Sequence, residues 1–281
     1  MIKQENTAIT HGGKFHADDV FSAALLKILN PQINIVRSFQ IPDDFNGIVF
    51  DIGGGKYDHH QEGAEVRENG VPYAAFGLLW REFGESLISK YLSEEQAKKE
   101  AVYFDEKFIQ PLDEDDNTGS GNQLADIISI FNPNWDSNES SDCCFSKAVD
   151  FATIVLKKEI DRIMSVQRAK EMVEAALANS KDSIVILPRY APWKMVLIPS
   201  DAEFVVYPSQ RGGYNAQVIP VDFNTKEAKC DFPKEWAGKP ENELQRISRI
   251  PTLTFCHKNR FLISADSLED TIKACKLAKA L

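Results

Sequence analysis

The order of elements at the start of the chain constrains its fold most. Residues 7–10 read as a short strand, and Gly12-Gly13 interrupts the chain after it. A helix is expected over 19–29, with Asp18 as its N-cap and Asn30-Pro31 as its stop. Residues 33–39 and 48–51 read as two further strands, and Gly53-Gly54-Gly55 breaks the chain directly after them. Strands joined by a helical crossover run parallel, whereas a tight turn reverses the chain. Strand, helix, strand and strand within 51 residues therefore predict an α/β fold built on a parallel sheet.

Two helices are expected next, over 73–91 and 94–108, the second closed by Pro111. Residues 113–119 read as an acidic loop and 132–141 as a polar one. A long helix follows over 141–179, where Ile154, Val155, Ile160, Ile163 and Val166 fall near helical spacing. The texture then changes to short β-rich runs over 184–187, 195–198, 204–207, 216–221, 252–256 and 261–264, ending in a helix over 267–280. The expected organisation is a first domain over 1–180, whose segment 141–180 is a linking helix, and a smaller α+β domain over 181–281. A length of 281 residues suits two domains. Charge changes at the same place: residues 1–180 carry −13 and residues 181–281 carry +3, within a total of −10.

Only five histidines occur, and four of them lie at or just beyond expected strand ends. His11 follows the first strand, with His16, Asp18 and Asp19 close behind; Asp51 ends the third strand, and Asp58-His59-His60 follows. In an open α/β sheet that edge binds ligands. Imidazoles and carboxylates without thiolates suit Mn²⁺, Fe²⁺, Co²⁺ or Zn²⁺, and many carboxylates favour Mn²⁺ or Mg²⁺. There are more candidates than one ion can use, and two ions need a bridging carboxylate, for which Asp51 is well placed. One His-Asp cluster alone is ordinarily a solvated surface; three at successive strand edges point to a metal site. Asp19 reads better as helix-capping charge than as a ligand. Asp113 stands evenly between a solvated turn and a ligand, and Asp116 is the stronger candidate.

The motifs His11-Gly12-Gly13-Lys14-Phe15-His16-Ala17-Asp18-Asp19, Asp51-Ile52-Gly53-Gly54, Tyr57-Asp58-His59-His60-Gln61 and Asp113-x-x-Asp116-Asn117 resemble the melanocyte proliferating gene protein family, of the DHH phosphoesterase superfamily. Ala191-Pro192-Trp193-Lys194, Val206-Tyr207-Pro208, the run from Phe232 to Gly238, and Ile250-Pro251 with Phe255 and His257 resemble its C-terminal signatures, in order. The resemblance implies a DHH-type parallel-sheet metal domain joined by the long helix to a smaller substrate domain. It implies two divalent metal ions, Mn²⁺ foremost, and phosphoester hydrolysis by activated water. In eukaryotic relatives it implies a 3′–5′ exonuclease acting on RNA. It makes His11, His16, Asp18, Asp51, His59 and Asp116 the metal ligands, with Asp51 bridging. Asp58 would orient a histidine, and His60 would face the substrate phosphate.

Arg211 and His257 are the second domain's foremost candidates for meeting phosphoryl charge, alongside Lys258 and Arg260. Arginine suits bidentate phosphate contact, and Gly212-Gly213 beside Arg211 permit close backbone approach. The competing reading of each is an ordinary surface charge, and His257 reads equally as a strand histidine. The short segment 52–57 and the glycine-free segment 258–265 depart from the family's pattern, and they bear on substrate choice rather than on the metals. The alternatives are a hydrolase of a small phosphoanhydride or a (cyclic) dinucleotide, or a non-catalytic metal or nucleotide sensor.

The expected partner is RNA, a short oligonucleotide or a nucleotide. The acidic balance disfavours a long electrostatic track along nucleic acid, and a homodimer stays open. Trp193, Tyr207, Tyr214 and Trp236 could stack bases but read better as core. The five cysteines are odd in number and contain no C-x-x-C, which excludes a disulfide framework and a zinc knuckle. Cys143-Cys144 reads as structural. Residues 1–6 show no leader pattern, and no apolar run approaches the roughly 18 residues that span a bilayer. The expectation is a cytoplasmic protein in a reducing compartment, with no membrane contact.

Overall fold

The computed structural model describes residues 6–225 and 227–280, so most of the stretch read for a leader lies outside the described residues. The chain is mixed α/β and divides into two compact units, Met1–Ile163 and Met164–Leu281. Among the described residues no helix is long and apolar enough to cross a membrane.

The first unit holds β1 (Thr7–His11), β2 (Asn34–Ser38) and β3 (Ile48–Val49), in the order β2-β1-β3. All pairings are parallel, and His11 lies opposite Ser38. Helix α1 (Ala17–Leu29) makes the crossover, and every residue from Ala17 to Leu26 is buried. It is therefore wrapped on all sides rather than amphipathic. Phe21 on α1 stacks on Phe76 of α2 (Ala75–Ile88), with ring centroids 5.6 Å apart. Asp18 does not cap α1, where His16 is the N-cap residue. Its carboxylate instead accepts from Phe76 N at 2.7 Å and Ala75 N at 3.0 Å, and so caps α2.

The acidic segment is helical, not a loop. Helix α3 (Glu94–Phe104) continues through a π-helical turn (Asp105–Ile109) into α4 (Gln110–Thr118). Pro111 follows closely on the π-helical turn inside a continuous helical run; the wider turn accommodates its missing N–H, so it does not close the helix. Gly119, at φ 65°, ends it. A short helix α5 (Gln123–Ser129), capped by Asn122, was not anticipated. The long helix α6 (Ser141–Ala178) forms where periodicity placed it.

The second unit is a five-stranded mixed sheet in the order β4-β5-β6-β8-β7. Its strands are β4 (Ile184–Ile186), β5 (Phe204–Pro208), β6 (Tyr214–Val218), β7 (Leu253–Cys256) and β8 (Leu262–Ala265). Only β4 and β5 pair in parallel. Strand alternation sends Phe204 and Val206 into one core and Val205 and Tyr207 into another. The apolar run at 195–198 is not a strand but part of α7 (Lys194–Leu197); a run this short fits either period. Helix α8 (Glu241–Ser248) escaped notice because only Leu244 and Ser248 are buried. Helix α9 (Leu268–Lys279) starts at Ser267, whose hydroxyl accepts from Asp270 N at 3.2 Å. Trp193, Tyr207 and Trp236 are core residues, and Tyr214 packs at the core's margin. All five cysteines are free thiols.

Candidate metal centre

Two loops at the C-terminal edge of the parallel sheet build the site together with the first turn of α1 and helix α4. His11 closes β1, and Gly12 N donates to Ser38 O at 2.9 Å, tying the loop to β2. Gly13 O accepts from both Arg37 Nη2 and Ser141 Oγ at 2.6 Å. Asp51 follows β3 with φ 57°, a left-handed conformation that costs a non-glycine residue about 1 kcal/mol or more. Its N–H donates to Tyr57 O at 2.8 Å, which holds the turn closed. Gly53, at φ 90°, packs where any Cβ would collide with Ile41. Asp58 braces the same turn: its Oδ2 accepts from Gly54 N at 2.6 Å and its Oδ1 from His60 N at 3.0 Å. Asp58 Oδ1 also lies 3.0 Å from His60 Nδ1, so it orients that ring.

The side chains converge on Asp51. His11 Nε2 is 3.2 Å from Asp51 Oδ2 and 3.2 Å from Asp19 Oδ2. His59 Nε2 is 3.2 Å from Asp51 Oδ1, 3.3 Å from Asp116 Oδ2 and 3.9 Å from Asp18 Oδ2. Asp51 thus presents one oxygen to each imidazole, the arrangement a bridging carboxylate needs. Buried Asp19 Oδ2, Asp51 Oδ1 and His59 Nε2 have no hydrogen-bond partner despite this proximity. An orphaned buried polar atom costs about 1–3 kcal/mol; Asp51 Oδ1 and His59 Nε2 lie 3.2 Å apart, while Asp19 Oδ2 belongs with His11 and Asp51, so Asp51 is common to both places that call for a partner. Among the described residues, three groups satisfy ligand spacing: His11, Asp19 and Asp51; Asp18, His59 and Asp116; and Asp51, His59 and His60. Hard oxygens and imidazole nitrogens of this kind fit divalent ions such as Mn²⁺, Fe²⁺ or Zn²⁺.

The electrostatics ask for positive charge. Burial pushes Asp18 well above the usual carboxylate range, and the nearby Asp51 and Asp116 carboxylates add to this. Burial also raises Asp116. Burial opposes ionisation of Asp51 too, but His11 and His59 outweigh it and hold Asp51 at about 2. Asp19 and Asp51 in turn raise His11 to about 10. Without a metal, protons on imidazoles do the neutralising that a cation would do.

Of the six expected ligands, five enter these groups. His16 stands apart, half exposed, with Nδ1 4.0 Å from Asp116 Oδ1. Asp19 is more than a cap. Its Oδ1 accepts from His16 N at 2.9 Å while its Oδ2 faces His11. Asp113 is a brace outside all three groups: it is fully buried and accepts from Arg67 Nη2 at 2.7 Å and Gly77 N at 3.2 Å. Arg67 also grips Asp105 through two bonds of 2.7 and 2.9 Å. Sequence reasoning missed Arg67 and gave Asn117 no role. Positions 113, 116 and 117 share one face once the segment is read as a helix, and that spacing was the available signal.

In the second unit, Arg211 and His257 line a cavity of about 720 Å³ together with Tyr190, Tyr207 and Ser264. His257 Nδ1 accepts from Asn259 N at 3.0 Å, which leaves Nε2 as the protonated ring nitrogen. Arg260 is committed elsewhere, to Asp231 Oδ2 at 2.7 Å and Phe232 O at 3.2 Å.

A family model described as "Uncharacterised protein family (UPF0160)", the MYG1 family, matches residues 7–279. A MYG1 protein of Saccharomyces cerevisiae is 26% identical over 99% of this chain and 97% of its own length. A Mus musculus protein named MYG1 exonuclease is 28% identical over 90% of this chain and 79% of its own. A Chlamydia pneumoniae MYG1 protein is 28% identical over 95% of this chain and 94% of its own. No solved structure matches the chain. A family match across nearly the whole chain, including every residue of the candidate metal centre, establishes that the chain belongs to the MYG1 family, UPF0160.

Proposed function

We propose that this chain is a divalent-metal-dependent phosphoesterase, a 3′–5′ exonuclease acting on RNA or short oligonucleotides. The carrying observation is the convergence of buried, unpartnered Asp19, Asp51 and His59 atoms at a parallel-sheet edge. The exonuclease name of the mouse relative supports the reaction class. So does the resemblance of the motifs to DHH phosphoesterases.

Asp51 would bridge two ions, with His11 and Asp19 on one side and Asp18, His59 and Asp116 on the other. His16 would join beside Asp116. Bound there, a pair of divalent ions such as Mn²⁺ would supply Lewis acidity and activate water. The chain's own contribution is positional. Asp51 keeps the two halves of the site at fixed separation because its backbone is locked by Tyr57. His60, 60% exposed at its side chain and anchored by Asp58, is assigned to face the substrate phosphate. Arg211 and His257 are assigned to substrate binding in the second unit's cavity.

The test is incubation with Mn²⁺ and a panel of 5′-labelled oligoribonucleotides, dinucleotides and pyrophosphate, alongside Asp51→Ala and His59→Ala. A product ladder lost in both variants supports the proposal. Turnover confined to dinucleotides or pyrophosphate would redirect the substrate assignment. Metal binding without turnover of any substrate would sink the catalytic reading.

A further inference from the structure

The metal centre needs His59 to present a bare Nε2, yet an imidazole at neutral pH can place its proton on either nitrogen. What the ring's other nitrogen touches decides the matter. His59 Nδ1 lies 3.2 Å from Asn117 Oδ1 on α4. An asparagine amide offers an acceptor oxygen and a donor nitrogen of nearly equal size, so its orientation must be argued from its neighbours. Asn117 Nδ2 lies 2.8 Å from Asp113 O and 3.2 Å from Tyr73 O. Both are carbonyl oxygens and accept only. The reversed amide would set its oxygen against two oxygens, so the observed orientation is the one that forms bonds. Two backbone carbonyls therefore fix the amide, and the amide's oxygen faces His59.

We infer that Asn117 is a positioning residue that locks His59 in the Nδ1–H tautomer and so keeps Nε2 free for a divalent cation. This rests on the metal-centre reading above. His11 is oriented by a different route: its Nδ1 donates to Gly12 O at 2.9 Å, within the loop that follows β1, so Nε2 is the nitrogen that gives up its proton when a cation binds. The two imidazoles flanking Asp51 thus both turn Nε2 inward. Asparagine suits position 117 better than aspartate. A carboxylate would accept from His59, but it would repel the two carbonyls and add charge beside Asp116 and Asp51. Its neighbour Asp116, on the same turn of α4, points a carboxylate oxygen at the nitrogen that Asn117 keeps bare. One helical turn thus supplies a ligand and the group that prepares its partner. Hydrogen-bond partners of metal-bound histidines typically change metal affinity 10–100-fold when removed.

The experiment compares the full chain with Asn117→Ala, Asn117→Asp and Asp51→Ala. Mn²⁺ affinity is measured by calorimetry, and ring-nitrogen NMR is recorded on the Zn²⁺-loaded protein, with His59 assigned by its loss in His59→Gln. The expected result is an exchange-protected His59 Nδ1–H signal in the unsubstituted chain. It should disappear in Asn117→Ala together with a 10–100-fold loss of Mn²⁺ affinity, and persist in Asn117→Asp, which keeps the acceptor. Loss of Mn²⁺ binding in Asp51→Ala with affinity and signal unchanged in Asn117→Ala would overturn the role of Asn117 alone. Unchanged binding in Asp51→Ala would overturn the metal-centre reading and this inference with it. If Asn117→Ala does not fold, absence of the Nδ1–H signal in Asn117→Asp overturns the inference.

Discussion

Replacing Gly77 by alanine tests whether the brace behind the candidate metal centre or local helix preference governs this region. Gly77 lies in the first turns of α2, and an alanine in a helix interior is ordinarily about 1 kcal/mol more favourable than glycine. Here a Cβ would collide with Asp113 Oδ2 and come within 2.5 Å of Arg67 Nη2. Both groups are buried, and Asp113 also accepts from Gly77 N at 3.2 Å. They cannot yield cheaply, because Arg67 is held by Asp105 and by Pro72 O at 2.9 Å. Disrupting a buried ion pair costs about 3–5 kcal/mol, which outweighs a helix gain of about 1 and leaves a net loss of about 2–4 kcal/mol. For a unit of this size, Met1–Ile163, each kcal/mol shifts Tm by about 2–4 °C. Taking about 3 kcal/mol, the Gly77→Ala chain should melt roughly 6–12 °C lower by circular dichroism. It should also bind Mn²⁺ more weakly, since α4 carries Asp116. A Tm equal to or above that of the unsubstituted chain would refute the argument, because helix preference would then have won.

Other expectations follow from the same geometry. His11 holds a proton up to about 10 in the metal-free protein, and a metal ligand must give that proton up. Mn²⁺ affinity should therefore rise with pH through neutrality, and calorimetry in buffers of different ionisation enthalpy should register proton release; a pH-independent affinity would contradict this. Asp116→Asn removes a carboxylate that burial and Asp51 disfavour, so it should raise Tm in the presence of a chelator while weakening Mn²⁺ binding. Asp18→Ala leaves Ala75 N and Phe76 N buried without acceptors and should cost about 2–4 kcal/mol in chelator-containing buffer, a loss in α2 rather than in metal binding alone. Saturating Mn²⁺ at 100 times its Kd should stabilise the unsubstituted chain by about 2.7 kcal/mol, read as a Tm increase that chelation reverses.

The parallel sheet and its ligand edge were legible because they rest on local rules. Apolar runs broken by Gly12-Gly13 and Gly53-Gly54-Gly55, with a helix between the first two strands, leave few arrangements other than parallel pairing. Histidines and aspartates at successive strand ends then fall together. The errors were of one kind, in which a residue's local habit was taken as its role. Pro111 reads as a stop in isolation yet lies inside a helical run that continues past it to Thr118. The run at 195–198 is apolar enough for a strand yet coils into α7. Asp18 resembles the cap of its own helix but caps α2, 57 and 58 residues away at the atoms it binds.

By itself, then, the sequence determined which chemistry is present: imidazoles and carboxylates at strand ends, because strand period and glycine breaks act over a few residues. Tertiary structure alone decided what each carboxylate does. Asp19 turned from cap alone to cap and candidate ligand, Asp113 from candidate ligand to brace, and Asn117 gained a contact with His59, because a carboxyl or amide takes its role from the groups that packing brings to it. Arg67 reaches Asp113 across 46 positions and His59 reaches Asn117 across 58. No local pattern encodes distances of that kind.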